Sequence, residues 1–336
     1  MSKVKIAING FGRIGRNFFR QAFENDGLEI VAINDLGDLD NLAYLLKFDS
    51  VYGRFNKNVE ISDGKLIVDG HDIQITHEKE PAKLPWKDLN IDVVIESTGV
   101  FESHEKATPH LDAGAKRVVI TAPAKDETTP TATPNIGIDN LKLDKITSNA
   151  SCTTNATTPV MSVMMANPGI KKAILNTVHG YTATQSIVDG PAKGDFKRGR
   201  AAAINIVPSY TGAALVATRV VPELKDKFDG IAMRVPVPSG SIIDFTFVAS
   251  RPTTVEEINN IFKEAAAKEE WQGILAVTEE PLVSSDILGQ PYGSIVDLSM
   301  TRVVDGDLVK ILSWYDNEWG YAAMLVKHVL AVGQLL

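Results

Sequence analysis

The first 150 residues alternate short, almost wholly apolar runs with stretches where apolar residues recur every three to four positions. Residues 4–8, 28–33, 92–96, 117–121 and 146–149 are such runs, the pattern of strands buried on both faces of a parallel sheet. After the first run, Ile14, Phe18, Phe19 and Ala22 fall on one face of a helix, and 42–49 and 106–113 also read as helices, the second closed by Gly114. Residues 58–68 and 73–77 read as short antiparallel strands around turns at Asp63-Gly64 and Asp69-Gly70.

The pattern changes near residue 151. An apolar run with helical spacing (Val160, Val163, Met164) begins there, and 173–178, 231–235, 241–250, 295–297 and 308–314 read as strands of a largely antiparallel sheet. Thr254-Val255-Glu256-Glu257 is a capping box opening a helix to about residue 270, with Val255, Ile258, Ile261, Phe262 and Ala265 as its apolar stripe. An amphipathic helix with Tyr321, Leu325, Val329 and Val332 closes the chain. The expected organisation is an α/β domain over 1–150, an α+β domain over 151–316, and a C-terminal segment, 317–336, that returns to the first domain.

The first strand leads directly into Gly10-Phe11-Gly12-Arg13-Ile14-Gly15, a G-x-G-x-x-G turn that opens a helix. Asp35 ends the second strand, 20 residues beyond Gly15. In that setting each residue type has a task. Gly10 permits the tight turn, Gly12 lets a pyrophosphate approach the backbone, and Gly15 lets helix and sheet pack closely. The pyrophosphate sits on the helix N-terminus, and Asp35 accepts from the adenosine ribose while repelling a 2′-phosphate. The first domain is thus expected to be a Rossmann-type NAD-binding domain that prefers NAD to NADP.

Composition narrows the partners. With 34 basic and 42 acidic residues the net charge is −8, which argues against bulk nucleic-acid binding. Lys193, Lys197, Arg198 and Arg200 then read as a solvated loop or a phosphate-attracting rim. The one cysteine in 336 residues cannot form an internal disulfide and suits a reducing cytoplasm. The N-terminus carries no long apolar signal region, and no segment approaches a membrane span. No metal is expected.

That cysteine, Cys152, lies in Ser148-Asn149-Ala150-Ser151-Cys152-Thr153-Thr154-Asn155, where an extended run meets a helix start. Unpaired backbone N–H groups and the positive end of the helix dipole there favour thiolate over thiol. Strand ends carrying small polar residues, Thr98 and Thr121 among them, are where an open α/β sheet binds its ligand.

This octet, together with Asn9-Gly10-Phe11-Gly12-Arg13-Ile14-Gly15-Arg16, His179-x-Tyr181-Thr182, Pro208-x-x-Thr211-Gly212-Ala213-Ala214, Arg234-Val235-Pro236 and Trp314-Tyr315-Asp316-Asn317-Glu318-Trp319-Gly320-Tyr321, resembles the phosphorylating glyceraldehyde-3-phosphate dehydrogenase family over essentially the whole chain. The resemblance implies a catalytic α+β domain in which Cys152 is the nucleophile and His179 its base, forming an ion pair with the thiolate. It implies that Thr182, Thr184 and Arg234 hold the substrate phosphate, and that Ser151, Thr153, Thr211 and Gly212 hold the attacking inorganic phosphate. NAD would be held by Gly10, Gly12, the backbone of Arg13 and Ile14, Gly15, Asp35, Lys79, Thr98, Thr121 and Asn317. A homotetramer is implied, with loop 189–200 lining a neighbour's cofactor site. The chain departs from the family in several places: Ala156 replaces a frequent second cysteine, Lys79 a frequent Arg, and Phe196 a frequent Trp, while 133–139 and Ser239-Gly240 are unusual. An erythrose-4-phosphate dehydrogenase and a non-catalytic NAD-fold binding protein are the competing readings. Intact Cys152, His179 and Arg234 weigh against the second.

Overall fold

The structure, a computed structural model, describes residues 3–336. It resolves into two compact units, one formed by residues 3–132, Gly137–Ala150 and Leu325–Leu336, the other by Thr133–Ile136 and Ser151–Met324.

The first unit runs β1 (Val4–Asn9), α1 (Arg13–Ala22), β2 (Leu28–Asn34), α2 (Leu39–Lys47), β3 (Phe48–Asp49), β4 (Gly53–Arg54), β5 (Val59–Ser62), β6 (Lys65–Val68), β7 (His71–Thr76), β8 (Val93–Glu96), α3 (His104–Asp112), β9 (Arg117–Ile120) and β10 (Ile146–Ser148). Eight strands form one sheet in the order β10-β9-β8-β1-β2-β7-β6-β5. Pairing is parallel from β10 to β7, and β6 and β5 add an antiparallel edge. The apolar runs are explained by burial on both faces: Ile6 and Ile8 pack with Phe18 and Phe19 of α1, while Ala7 between them packs with Trp86 and Val94 on the other side. The chain leaves β1 towards β2 on one side and reaches β8 on the other, so the strand order reverses at β1. A crevice at the carboxyl ends of β1 and β8 is the ligand position of such sheets.

The second unit runs α4 (Cys152–Ala166), β11 (Ile170–Gly180), β12 (Val207–Tyr210), α5 (Ala213–Val220), β13 (Phe228–Val235), β14 (Ser241–Ala249), α6 (Val255–Ala267), β15 (Leu275–Thr278), β16 (Ser294–Val304) and β17 (Leu308–Tyr315). Its sheet order is β12-β13-β11-β14-β17-β16-β15. Four pairs are antiparallel and two, β11 with β13 and β15 with β16, are parallel. Alternate residues of β14 are buried. Phe245 and Phe247 of that strand share a core with Val160, Met164, Ile258 and Phe262. The last helix, α7 (Trp319–Gly333), begins in the second unit and ends in the first.

Several boundaries differ from the sequence reading. Helix α2 starts at Leu39, three residues before the expected start at Leu42, because the Asp38 side chain accepts from Asn41 N at 3.1 Å. It stops at Lys47, and Phe48–Asp49 joins a two-residue ribbon with Gly53–Arg54. Helix α6 ends at Ala267, with a separate turn at Glu269–Trp271. The short elements β12, α5 and β15 lack strong periodicity; Pro208 sits in β12 at the sheet edge, the place a sheet tolerates it. The unusual segment 133–139 has a structural role. Ile136 is buried in the second core, Thr133 Oγ1 and Thr158 Oγ1 lie 2.9 Å apart, and Asn135 donates to the carbonyl of Glu270.

Candidate active site

Cys152 is the first residue of α4. The chain turns into that helix through Ala150, which holds a left-handed φ of 58°, costing about 1–2 kcal/mol for a residue with a Cβ. Ser151 caps the helix, its hydroxyl accepting from Thr154 N at 3.1 Å. This leaves the half-buried Cys152 beside the helix N-terminus. Residue 179 is next to last in β11, and its Nε2 lies 3.3 Å from Cys152 Sγ. The parallel register of β11 and β13 puts Arg234 opposite His179. Arg234 Nη1 lies 2.6 Å from His179 Nδ1 and donates to Gly180 O at 3.1 Å. His179 Nδ1 is also 2.7 Å from Gly180 O. With the proton on Nδ1, that carbonyl accepts it and Nε2 faces the sulfur with a lone pair. With Nδ1 bare, Arg234 donates to it and Nε2–H faces the sulfur.

Burial opposes a lone charge on either partner. It pushes the Cys152 thiol up, against the pull of the Arg234 guanidinium, the Thr153 hydroxyl and the helix-start N–H groups. It pushes His179 down to about 3, with Arg234 adding to the fall. The expectation that the helix start by itself favours thiolate over thiol is therefore corrected: burial outweighs it. Each group resists charge alone; a proton crossing from sulfur to Nε2 would let each new charge compensate the other. Arg234 and the helix N-terminus favour the sulfur side of that pair. Tyr315 supports the assembly from beneath. Its hydroxyl lies 2.9 Å from Thr153 Oγ1 and 2.8 Å from Thr177 Oγ1, and its ring meets that of His179 edge-on at 5.9 Å.

In the first unit the glycine turn is tightly built. Gly10 has φ 93°, and a Cβ there would come within 2.7 Å of Thr98 N; one on Gly15 would come within 2.2 Å of Gly10 O. Both positions exclude any side chain. Asp35 braces the turn, Oδ2 accepting from Phe11 N at 2.6 Å and Oδ1 from Gly37 N at 2.8 Å.

Comparison with known proteins decides the family. Residues 4–104 match the family model described as glyceraldehyde 3-phosphate dehydrogenase, NAD binding domain, and residues 151–317 match that of the C-terminal domain. The glyceraldehyde-3-phosphate dehydrogenase of Borreliella burgdorferi is 50% identical over 332 residues, 96% of this chain and 98% of that protein. Glyceraldehyde-3-phosphate dehydrogenase 2 of Streptomyces avermitilis is 48% identical over 338 residues, 99% of each chain. The enzyme of Geobacillus stearothermophilus is 48% identical over 327 residues, 96% of each. This chain belongs to the glyceraldehyde-3-phosphate dehydrogenase family. It is an NAD-dependent oxidoreductase of that family, with a Rossmann domain and the family's C-terminal domain.

The residues present fit NAD. The N-cap of α1, Gly12, makes no side-chain hydrogen bond, and a Cβ built on it meets nothing within 4 Å. A helix N-terminus facing open space is an anion cradle. Arg13 and Ile14 open that helix, the Arg13 guanidinium turning away to Asp49. Thr98 and Thr121 stand just beyond β8 and β9, and Lys79 is exposed beyond β7. Asn317 belongs to the second unit. Its Oδ1 accepts from Ser239 at 3.2 Å and Ser241 at 2.8 Å, which directs the amide nitrogen to act as donor. The unusual Ser239 thus has a task, its single hydroxyl proton shared between Asn317 Oδ1 and Asp316 Oδ1, the latter at 2.9 Å.

The expected phosphate residues form separate groups. Thr182 and Thr184 pair through their hydroxyls at 2.9 Å. Ser151 and Thr153 flank Cys152. Thr211 accepts from Ala213 N at 3.2 Å, and Gly212 caps α5. Because β12 runs antiparallel to β13, Tyr210 opposes Ile231 and Val207 opposes Arg234, so Thr211 and Gly212 leave the ladder at the end away from Arg234. Sequence reasoning passed over Arg198 as a loop cation. It donates to Ser209 Oγ at 3.0 Å, and its charge acts on both His179 and Arg234. Only position in the fold reveals that. Tyr315 stood inside a quoted motif but drew no role, since its partners are 138 and 162 residues away in sequence.

Proposed function

We propose that the chain converts D-glyceraldehyde 3-phosphate and inorganic phosphate to 1,3-bisphosphoglycerate through a thioester on Cys152. The observation that carries this is the contact of Cys152 Sγ with His179 Nε2 at 3.3 Å on the first turn of α4, with Arg234 behind the imidazole. His179 takes the thiol proton, sulfur bonds to the aldehyde carbon, and the imidazolium returns the proton to the former carbonyl oxygen to give a hemithioacetal. His179 then accepts the hydroxyl proton of that adduct. NAD, when bound, supplies the hydride acceptor. An oxygen of inorganic phosphate attacks the resulting thioester, the C–S bond breaks, and the acyl phosphate leaves with Cys152 restored. Arg234 with Thr182 and Thr184 holds the substrate phosphate. Ser151, Thr153, Thr211 and Gly212 hold the attacking one, offering hydroxyl and N–H donors.

The enzyme works as a homotetramer. Ile187, Val188, Phe196, Ile204 and Ile206 are 70–86% exposed within and beside the loop that the family brings to a neighbour, and Tyr210 and Ile231 extend this apolar surface onto the sheet. Such a patch marks an interface. A cytoplasmic location suits the reduced thiol the chemistry needs. NADH formation from glyceraldehyde 3-phosphate, with and without inorganic phosphate, tests the reaction. A higher kcat/KM with erythrose 4-phosphate would favour the four-carbon enzyme, and NAD binding without turnover of either aldehyde would favour a binding protein.

A further inference from the structure

Glu96, the last residue of β8, is 2% exposed, and among the described residues no Lys or Arg pairs with it. Four donors fill its carboxylate. Oε1 accepts from Thr98 N at 2.9 Å and from the Thr98 hydroxyl; Oε2 accepts from Asn9 Nδ2 at 2.5 Å and His110 Nε2 at 3.1 Å. Two of these donors, on His110 and Asn9, have their orientation fixed from further away. Trp86 Nε1 can only donate and lies 3.0 Å from His110 Nδ1, so the imidazole proton is on Nε2, facing Glu96. Backbone N–H of Glu78 donates to Asn34 Oδ1 at 2.8 Å, Asn34 Nδ2 donates to Asn9 Oδ1 at 2.7 Å, and Asn9 must therefore present Nδ2 to Glu96. The Glu96 carbonyl also accepts from the Thr121 hydroxyl at 3.1 Å. One buried acid thus joins the carboxyl ends of β1, β8 and β9, and through Asn9 that of β2, around the Gly10 turn. These are the strand ends where the crevice opens.

We propose that Glu96 is the positioning residue of the NAD site, fixing Thr98 and the glycine turn while His110 and Trp86 hold Glu96. The proposal rests on the assignment of Thr98 and the glycine turn to NAD. A glutamine has the same shape but cannot fill the place. With its amide nitrogen at Oε1 it meets Thr98 N–H; at Oε2 it meets Asn9 Nδ2 and the His110 Nε2 proton. Either way two donors oppose each other in a buried site, and the Thr98 strand end shifts.

The test measures Glu96→Gln three ways: NAD dissociation constant by fluorescence titration, kcat at saturating NAD, and iodoacetamide alkylation of Cys152 without NAD. NAD binding is expected to weaken about 10- to 100-fold, the range for leaving a buried polar group unsatisfied, with kcat and alkylation close to wild type. Trp86→Phe approaches from the far side and serves if Glu96→Gln does not fold. It leaves His110 Nδ1 without its donor and frees the imidazole that donates to Glu96, and a smaller loss of NAD affinity is expected, again with alkylation unchanged. An unchanged dissociation constant in a folded variant would overturn the proposal. So would equal losses of affinity, turnover and alkylation together with a fall in Tm, the mark of general loosening. Wild-type protein that bound NAD but turned over no aldehyde would remove the proposed reaction and leave the comparison of dissociation constants intact.

Discussion

Replacing His179 with Asn keeps a polar side chain of moderate size and removes the group 3.3 Å from the Cys152 sulfur. At that separation, opposite unit charges in a medium of effective dielectric about 20 attract by about 5 kcal/mol. This is the most the imidazolium could contribute to the thiolate, and burial of both groups offsets part of it. Without it, thiolate has only Arg234, the Thr153 hydroxyl and the helix-start N–H groups to oppose a burial that raises the thiol. A free thiol with pKa about 8.5 is only about 3% ionised at pH 7, and burial places this one lower still. If the wild-type pair is largely ionised, alkylation at pH 7 should fall about 30-fold or more in His179→Asn. Iodoacetamide labelling from pH 5 to 10 reads this directly. The wild type should label through a low apparent pKa, and the variant through one at or above that of a free thiol. Turnover should drop about 10²- to 10⁴-fold, as for loss of a positioned acid–base group. Cys152→Ser is the control that should neither label nor turn over while still binding NAD. Superimposable labelling profiles of wild type and His179→Asn would refute coupled ionisation of the pair.

Three further outcomes are expected. The wild type should use NAD in preference to NADP, since juxtaposing like charges costs a few kcal/mol; Asp35→Gly should relax the discrimination and, by releasing the N–H groups of Phe11 and Gly37, weaken NAD use, with kcat/KM for both cofactors as the measurement. His328 is buried, and burial pushes it down to about 3. The unfolded chain therefore takes up a proton near pH 6.5 that the folded chain refuses, so the stability contributed is full above pH 6.5 and is lost as pH falls towards 3, by at most about 5 kcal/mol; urea unfolding across that range should show a flatter pH dependence for His328→Gln than for wild type. Light scattering should give the mass of four chains at micromolar concentration, and Ile204→Asp, which places a charge on a residue 80% exposed in the single chain, should shift the protein towards smaller species. A fully active wild-type monomer would remove the assembly proposal.

What the sequence determined by itself is whatever depends on neighbours along the chain. A G-x-G-x-x-G turn between an apolar run and an amphipathic helix has few conformations open to it, and Gly10 and Gly15 adopt the close approach their missing side chains permit. Ser151 ahead of Cys152 is enough to start a helix there, because its hydroxyl satisfies the N–H of Thr154 three residues on. The turns at Asp63-Gly64 and Asp69-Gly70 form for the same reason, all four residues taking positive φ. The ends of α2 and α6 were less legible, since a cap such as Asp38 or a break after Ala267 depends on one or two side chains. The tertiary structure alone decided which distant residues meet. Arg234 stands opposite His179 because β11 and β13 pair in parallel with that register, and sliding the register by one residue would turn the guanidinium to the other face. Tyr315 reaches Thr153 and Thr177 through the order of strands in the second sheet, and Trp86, His110 and Glu96 become one chain of hydrogen bonds only when α3 packs beside β8. No local pattern marks Glu96 off from any acid at a strand end. Its burial, and the need of a buried carboxylate for a donor on every side, arise only once the sheet has closed around it.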